Sequence, residues 1–363
     1  SSLFQLQNGQ ALRVDCLGAG LFRVRAGPGD CLHESGLNRY GIIRPEPDLT
    51  AGAVARSEDA GGWTLTAAGV SLAADKAEGR FILKGSDGGA LLEGLVPAIQ
   101  PGGGYTAAFR LKPGERLYGL GDVNRDCLQR RGRSYTMINK SVVSYAPIPF
   151  LMSPAGWAIF LNTTWFHRVD AGESDPDALR FDVEGGWPDF YLMAGDYPKG
   201  LLDRYTRVTG RPTLLPEWAY GLTFVCDDRG FRARDMLYTA YEFRRHGIPC
   251  NGIGLEPGWM EKHYDYSVEK TWSRERFDIP FWLKGQKHGT FAAALDKMGF
   301  KLSLWLCCDY DLSEHEEQLL ALKAGGRPAD ARPPKTPEPA ADETRVMGFQ
   351  QAAPVTPDPQ GGG

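Results

Sequence analysis

From residue 1 to about residue 196 the chain alternates apolar and polar side chains in short runs. Examples are Leu12-Arg13-Val14-Asp15-Cys16, Leu21-Phe22-Arg23-Val24-Arg25, Trp63-Thr64-Leu65-Thr66, Phe81-Ile82-Leu83-Lys84 and Trp157-Ala158-Ile159-Phe160-Leu161. A period of two places every second side chain on one face of a strand. Turn-forming clusters such as Gly61-Gly62 and Ser86-Asp87-Gly88-Gly89 separate the runs. Repeated short strands, each with one apolar face, predict a β-sandwich.

Near residue 197 the period lengthens. The segment Pro198-Lys199-Gly200-Leu201-Leu202-Asp203-Arg204-Tyr205 carries apolar residues at helical spacing, and Gly210-Arg211-Pro212 stops it. Strands and helices then alternate. Tyr220 to Cys226 is an apolar run ending at Asp227-Asp228, and Arg234 to His246 reads as an amphipathic helix with Met236, Leu237, Ala240, Tyr241 and Phe243 as expected buried positions. Ile253 to Leu255 is a second strand, and Phe291 to Met298 a second helix closed by Gly299. Leu302 to Cys308 is a third strand ending at Asp309. Beyond it Ser313 has the features of an N-cap, with Glu314, Glu316 and Glu317 near the start of the helix, where its dipole favours acids. This order predicts parallel strands joined by crossover helices, with ligands at the carboxyl ends of the strands. The last forty positions, 324 to 363, hold eight prolines and six glycines, a composition that reads as a tail or long loop without packed structure.

The 363 residues suggest about two domains, and 42% hydrophobic with 24% charged residues is ordinary for a chain with a real core. The formal net charge of −4 gives no basic footprint for nucleic acid or an anionic membrane. No apolar run approaches the ~20 residues of a membrane-spanning helix. The opening Ser1-Ser2-Leu3-Phe4 lacks a basic stretch followed by an apolar one, so no signal peptide is read here. Seven cysteines at irregular spacing form no CxxC pair, and Cys226, Cys307 and Cys308 lie in apolar runs, as reduced core residues do. The expected compartment is the cytoplasm, or the periplasm or exterior if a leader has been removed.

The chemistry gathers at the strand ends. They offer Asp227 and Asp228, then Glu256 with Trp259, then Trp305 with Asp309 and Asp311. Carboxylates accept hydrogen bonds from paired sugar hydroxyls, and indole rings cover the apolar faces of a sugar. Glu256 follows a buried strand directly, and Pro257-Gly258 breaks the strand there and permits an unusual backbone. Plainer roles compete: a helix cap for Asp227 or Asp228, a structural ion pair for Glu256, and packing of a long loop for the aromatics Trp259, Tyr264, Tyr266, Trp272, Phe277, Phe281 and Trp282. Gly119-Leu120-Gly121 and Gly102-Gly103-Gly104 are not phosphate loops, and Gly252-Ile253-Gly254 lacks the third glycine of a dinucleotide fingerprint. His167, His246, His263, His288 and His315 have no metal-ligand spacing, and no GxSxG elbow is present.

Several stretches, in order, resemble glycoside hydrolase family 31. Glu115-Arg116-Leu117-Tyr118-Gly119-Leu120-Gly121 is similar to the family's YGLG stretch, and Pro149-Phe150-Leu151-Met152-Ser153 with Gly156-Trp157-Ala158-Ile159-Phe160 to its next N-domain segment. Asp189-Phe190-Tyr191, Gly195 and Pro198 resemble the lead into its linking helix. Gly210-Arg211-Pro212, Pro216 and Trp218-Ala219-Tyr220-Gly221 resemble its entry to the first barrel strand, and Ile248-Pro249, Leu255-Glu256 and Trp259-Met260 its second. The likeness runs over about residues 100 to 312.

The resemblance implies a multi-domain chain, β then α/β: an N-terminal β-sandwich over 1–196, a linking helix over 197–215, and over 216–323 the first βα units of a (β/α)8 barrel, left incomplete in this chain. Residues 324–363 would be the Pro/Gly-rich loop or tail. It also implies a retaining α-glycoside hydrolase with two catalytic carboxylates. The family carries both on later strands, so no catalytic residue is carried over and the pair is expected beyond Gly363. Substrate-binding positions carried over are Glu256, Trp259, Asp227, Asp228, Trp305 and Asp309, with Asn139 from an N-domain loop where the family tends to have Asn-Asp and this chain has Asn139-Lys140. Glu256 stands where the family usually has Asp, one methylene shorter, and this form is closer to a branch with α-galactosidase-like members. The expected partner is an oligosaccharide or α-glycoside, with a second chain or downstream segment completing the barrel. No metal or organic cofactor is implied. Two rival readings are a non-catalytic carbohydrate-binding remnant and a fragment with an exposed sheet edge that folds poorly.

Overall fold

The computed structural model describes residues 1–306 other than 7–8, 32, 44–51, 102, 124–125, 139–143, 227–229, 263–269 and 278–289. Ser1–Pro212 fall in one compact unit and a second begins at Thr213. No helix among the described residues is long and apolar enough to cross a membrane.

The first unit holds two antiparallel sheets. Seven strands run in the spatial order Ser2–Gln5, Ala11–Gly18, Leu21–Gly27, Asp189–Ala194, Trp157–Leu161, Ser144–Ser153, Tyr118–Val123. Nine run in the order Ser134–Met137, His167–Ala171, Ala178–Val183, Tyr105–Arg110, Ala90–Ile99, Arg80–Lys84, Val70–Asp75, Gly62–Ala67, Val54–Glu58. One shared core lies between them, so this is the expected sandwich. It draws Phe22, Ile159 and Leu192 from the first sheet and Leu65, Leu83 and Phe181 from the second. At its centre Phe109 meets Phe81, Phe181 and Phe190 edge-on at ring distances of 5.8, 6.0 and 5.9 Å. Gly94 makes that packing possible, because an added Cβ would lie 2.6 Å from Phe81 and 2.8 Å from Phe109.

The central strands of the seven-stranded sheet are buried at every position because both faces are covered. Trp157, Ile159 and Leu161 point into the sandwich core, whereas Ala158 and Phe160 belong to a second cluster on the outer face. The helix Lys199–Thr209 closes that cluster with Leu201 and Val208, and Tyr205 stacks 4.3 Å from Phe150.

Elsewhere the outer face is charged. Arg23 grips the buried Asp189 through two bonds, Nε to Oδ1 (2.9 Å) and Nη2 to Oδ2 (2.6 Å), and also donates to Glu34 and Asn38. Asn162 donates to the same Asp189 Oδ2 at 2.7 Å and to Asn38. Arg25 donates to Asp15 at 2.6 Å. A buried charge costs several kcal/mol unless it is paired, and this network pairs each of these charges, with the buried Arg25 Nε alone in it left without an acceptor.

The edge strand Tyr118–Val123 has a different solution. Its register against Ser144–Ser153 shifts twice, and Gly119, Leu120 and Gly121 all have positive φ. Arg130 then satisfies the carbonyls of this edge. Its backbone N–H donates to Leu117 O (2.8 Å), Nε to Gly119 O (2.9 Å), Nη2 to Gly121 O (3.3 Å) and Nη1 to Val123 O (2.6 Å). Its guanidinium also lies over the Tyr135 ring.

The second unit carries the three parallel strands Thr223–Cys226, Gly252–Leu255 and Lys301–Leu304, in that spatial order. The helices Ala233–Arg245 and Phe291–Lys297 lie between them in sequence. Ala233, Met236, Leu237 and Ala240 form the buried stripe. Two expectations need correction. Tyr241 is 52% exposed, because it sits one 100° step past the stripe, whereas Phe243 packs against Phe224 and Phe300. The run from Leu302 to Cys308 is not one strand over the described residues: it ends at Leu304, and Leu306 is exposed. The indole of Trp259 takes the Trp305 carbonyl, which stops the ladder there. Cys307, Cys308, Asp311, the 313–317 helix start and the 324–363 segment lie outside the described residues.

Replacing Arg130 by Met strips the guanidinium from three backbone carbonyls. Of these residues only Val123 is buried, and an unsatisfied buried acceptor costs about 1–3 kcal/mol, so the variant should lose about 1–3 kcal/mol in urea unfolding, with Arg130→Lys intermediate. A second expectation concerns pH. Burial lowers the pKa of His33 and of His167, against weaker opposing contacts from Asp189 and Pro188 and from the Trp165 carbonyl respectively. Both rings are then neutral in the fold but take up protons in the unfolded chain near pH ~6.5. The unfolded state binds more protons, so stability is full above pH ~6.5 and falls as pH drops below it. Melting curves from pH 7.5 to 5 should show this fall, and His167→Gln should flatten it.

Candidate functional site

The three parallel strands end in one row. Their register pairs Cys226 with Leu255 and Leu255 with Leu304, so the residues that follow, beginning with Glu256 and Trp305, share one edge. Hydrogen bonds carry the alignment one residue further: Glu256 N–H donates to Cys226 O (3.3 Å) and Trp305 N–H to Leu255 O (2.9 Å). All four residues of Gly252–Leu255 are buried, with Ile253 and Leu255 in the core of this unit. Gly252 and Gly254 leave room for the neighbouring strand, since a Cβ on Gly254 would lie 2.9 Å from Val225 Cγ2.

Glu256 is half-buried and extended (φ −75°, ψ 179°), and the single turn Pro257–Trp259 follows it. The glycine in that turn is not used as expected. Gly258 has no positive φ, and an added Cβ would meet only Arg276 Nη1, at 3.4 Å. Proline alone stops the strand, and Arg276 holds the turn by donating to Gly258 O (2.9 Å).

Trp259 is 5% exposed, and its Nε1–H donates to Trp305 O at 2.8 Å. Its ring lies 5.2 Å from Trp272, which packs 5.4 Å from Phe277, itself 5.1 Å from Phe291. Ser273 N–H donates to Trp259 O, and Met260 bridges Trp272. These described aromatics therefore tie the 271–277 segment to the turn after Glu256. With one face on Trp272 and its N–H spent, Trp259 acts on Glu256 by fixing its turn and joining it to Trp305.

Of the expected site residues, the structure brings Glu256, Trp259 and Trp305 together. Asp227, Asp228, Asp309 and Asn139 lie outside the described residues, as do Tyr264, Tyr266, Phe281, Trp282, His263, His288 and His315. Arg276 was missed from sequence, and nothing in its local pattern ties it to a carbonyl eighteen positions earlier.

Comparison with known proteins bears on the chain in pieces. The family profile described as the glycosyl hydrolase 31 N-terminal galactose mutarotase-like domain matches residues 11–170. An α-xylosidase of Emericella nidulans is 27% identical over 210 residues, 56% of this chain and 26% of the relative. Alpha-glucosidase 2 of Bacillus thermoamyloliquefaciens is 28% identical over 263 residues, 67% of this chain and 32% of the relative. The chain thus spans about a quarter to a third of the length of these two relatives. A mutant family 31 dextranase of Flavobacterium johnsoniae, solved with isomaltotriose, superposes with a TM-score of 0.71 at 23% identity, covering 89% of this chain and 39% of its own. A family 31 α-xylosidase from a soil metagenome, solved with xylose, gives 0.70 at 19% identity, covering 89% and 48%. These two superpositions speak for the fold alone. Residues 11–170 thus match the N-terminal domain of glycoside hydrolase family 31, and the chain is similar to members of that family.

Proposed function

We propose that the whole protein is a retaining α-glycoside hydrolase acting on an α-glucoside, α-xyloside or α-galactoside, and that this chain supplies its N-terminal sandwich and part of the substrate pocket. The observation that carries this reading is the row of strand ends in the second unit. Parallel strands aligned at Cys226, Leu255 and Leu304 are how a (β/α)8 barrel begins, and such barrels build their sites at that end. The family 31 sandwich ahead of them supports the same assignment.

In this reading Glu256 accepts hydrogen bonds from hydroxyls of the bound sugar. Its extra methylene relative to Asp places the carboxylate further from the strand end, so the hydroxyl pattern it reads differs from the one an Asp would read. The Trp259 indole sets its position by tying the turn to Trp305. A retaining mechanism needs a second and a third carboxylate: a nucleophile, and an acid/base about 5–5.5 Å from it. We assign both to barrel strands beyond the three described. Asp227, Asp228, Asp309 and Asn139 remain assigned to the substrate pocket.

The test is an assay of this 363-residue chain with aryl α-glucosides, α-xylosides and α-galactosides. The expected result is binding of one sugar class without turnover. Glu256→Gln should weaken that binding about tenfold, the loss of one charge-assisted hydrogen bond. Turnover abolished by Glu256→Ala would overturn the assignment of the catalytic pair. Absence of binding by every sugar would overturn the pocket.

A further inference from the structure

A cavity of about 640 Å³ opens on the sandwich, within the ~300–1,000 Å³ range of small-molecule sites. It lies between the Lys112–Arg116 turn, the turn after Ser153 and the ring of Tyr197. Its floor is built before any ligand arrives. The Glu115 carboxylate is 9% exposed and accepts three bonds, from Ser153 Oγ (2.6 Å), Trp157 Nε1 (2.7 Å) and the Lys112 N–H (2.9 Å). Arg131 braces the same turn by donating to Lys112 O, Glu115 O and Pro176 O.

The groups left over differ from those of the floor. Tyr118 and Tyr197 abut, with ring centroids 6.0 Å apart and planes tilted by 42°, and form one aromatic wall. Tyr197 is 38% exposed. Arg116 is exposed at the rim and has no hydrogen-bond or ion-pair partner among the described residues. Lys112 anchors its ammonium on Ala90 O and keeps further N–H donors beside it. The carboxylate of the floor already accepts three bonds, so the charged groups left open are cations, and a ligand has to bring the acceptors. The aromatic wall asks for an apolar ring face against it. A guanidinium reads planar or tetrahedral oxyanions in paired bonds.

We propose that this cavity binds a pyranose bearing an anionic group, a uronate or a sugar phosphate. The ring lies on the Tyr118–Tyr197 wall and the oxyanion on Arg116. The site lies wholly within the first unit and does not depend on the glycosidase reading or on Glu256.

The test is ligand-detected NMR titration of the 363-residue chain with glucuronic acid, glucose 6-phosphate, glucose and inorganic phosphate at one ionic strength. At least one of the two charged sugars should bind about tenfold more tightly than either glucose or inorganic phosphate. Whether the uronate or the phosphate leads identifies the anion. Arg116→Ala should remove that preference, with Arg116→Lys between the two. Tyr197→Ala should weaken both charged sugars. Both residues are exposed, and circular dichroism checks that each variant keeps its fold. Loss of the charged-sugar preference in Glu256→Ala would place the ligand in the second unit and end the proposal. Equal binding of glucose, equal binding of inorganic phosphate, or a preference that survives Arg116→Ala would each overturn it.

Discussion

The seven-stranded sheet has to satisfy both of its faces at once, and most of the first unit follows from that. Its inner face completes the sandwich core. Its outer face is divided between an apolar patch, covered by the helix Lys199–Thr209, and a charged patch around Asp189. Each half needs its own cover. The apolar half takes Leu201, Val208 and Tyr205, and the charged half takes Glu34, Ser35 and Asn38. Desolvated charge tolerates no missing partner, so the Arg23–Asp189 bond fixes where the 33–39 segment lies, as surely as Leu201 and Val208 fix the helix.

The second unit follows a different logic. Its parallel strands are aligned by backbone bonds, and the alignment brings one residue from each strand to a common edge. What stands there is set by how each strand stops. Pro257 ends one, and a tryptophan indole ends the next by taking its carbonyl. Glu256 is held between these two stops. The site is therefore specified by strand termination as much as by the acid itself, and the aromatics after Trp259 serve that termination through packing.

Much of this was legible from residue order. Short apolar-rich runs between turn clusters located strands such as Gly62–Ala67 and Trp157–Leu161, and helical spacing located Lys199–Thr209 and Ala233–Arg245. What local pattern could not carry were interactions between distant residues. Arg23 and Asp189 lie 166 positions apart, and nothing near either marks them as partners. Tyr241 read as buried because an aromatic beside a stripe looks like part of it, and only the position of the neighbouring strand decides. Gly258 read as a backbone necessity, yet its φ is ordinary. The strand bearing Glu256 was plain, whereas the burial of Trp259 depends on Trp272 and Trp305, which its own neighbourhood does not name.

Arg130 has a consequence for association. A sheet grows by offering unpaired carbonyls and amides to an incoming strand, and one residue here occupies the carbonyls of Leu117, Gly119, Gly121 and Val123. That end of the sheet is closed to extension by another copy of the chain. Any strand-to-strand assembly through this sheet has to start at its far edge, Ser2–Gln5. The protection therefore has a direction, and it rests on a single residue.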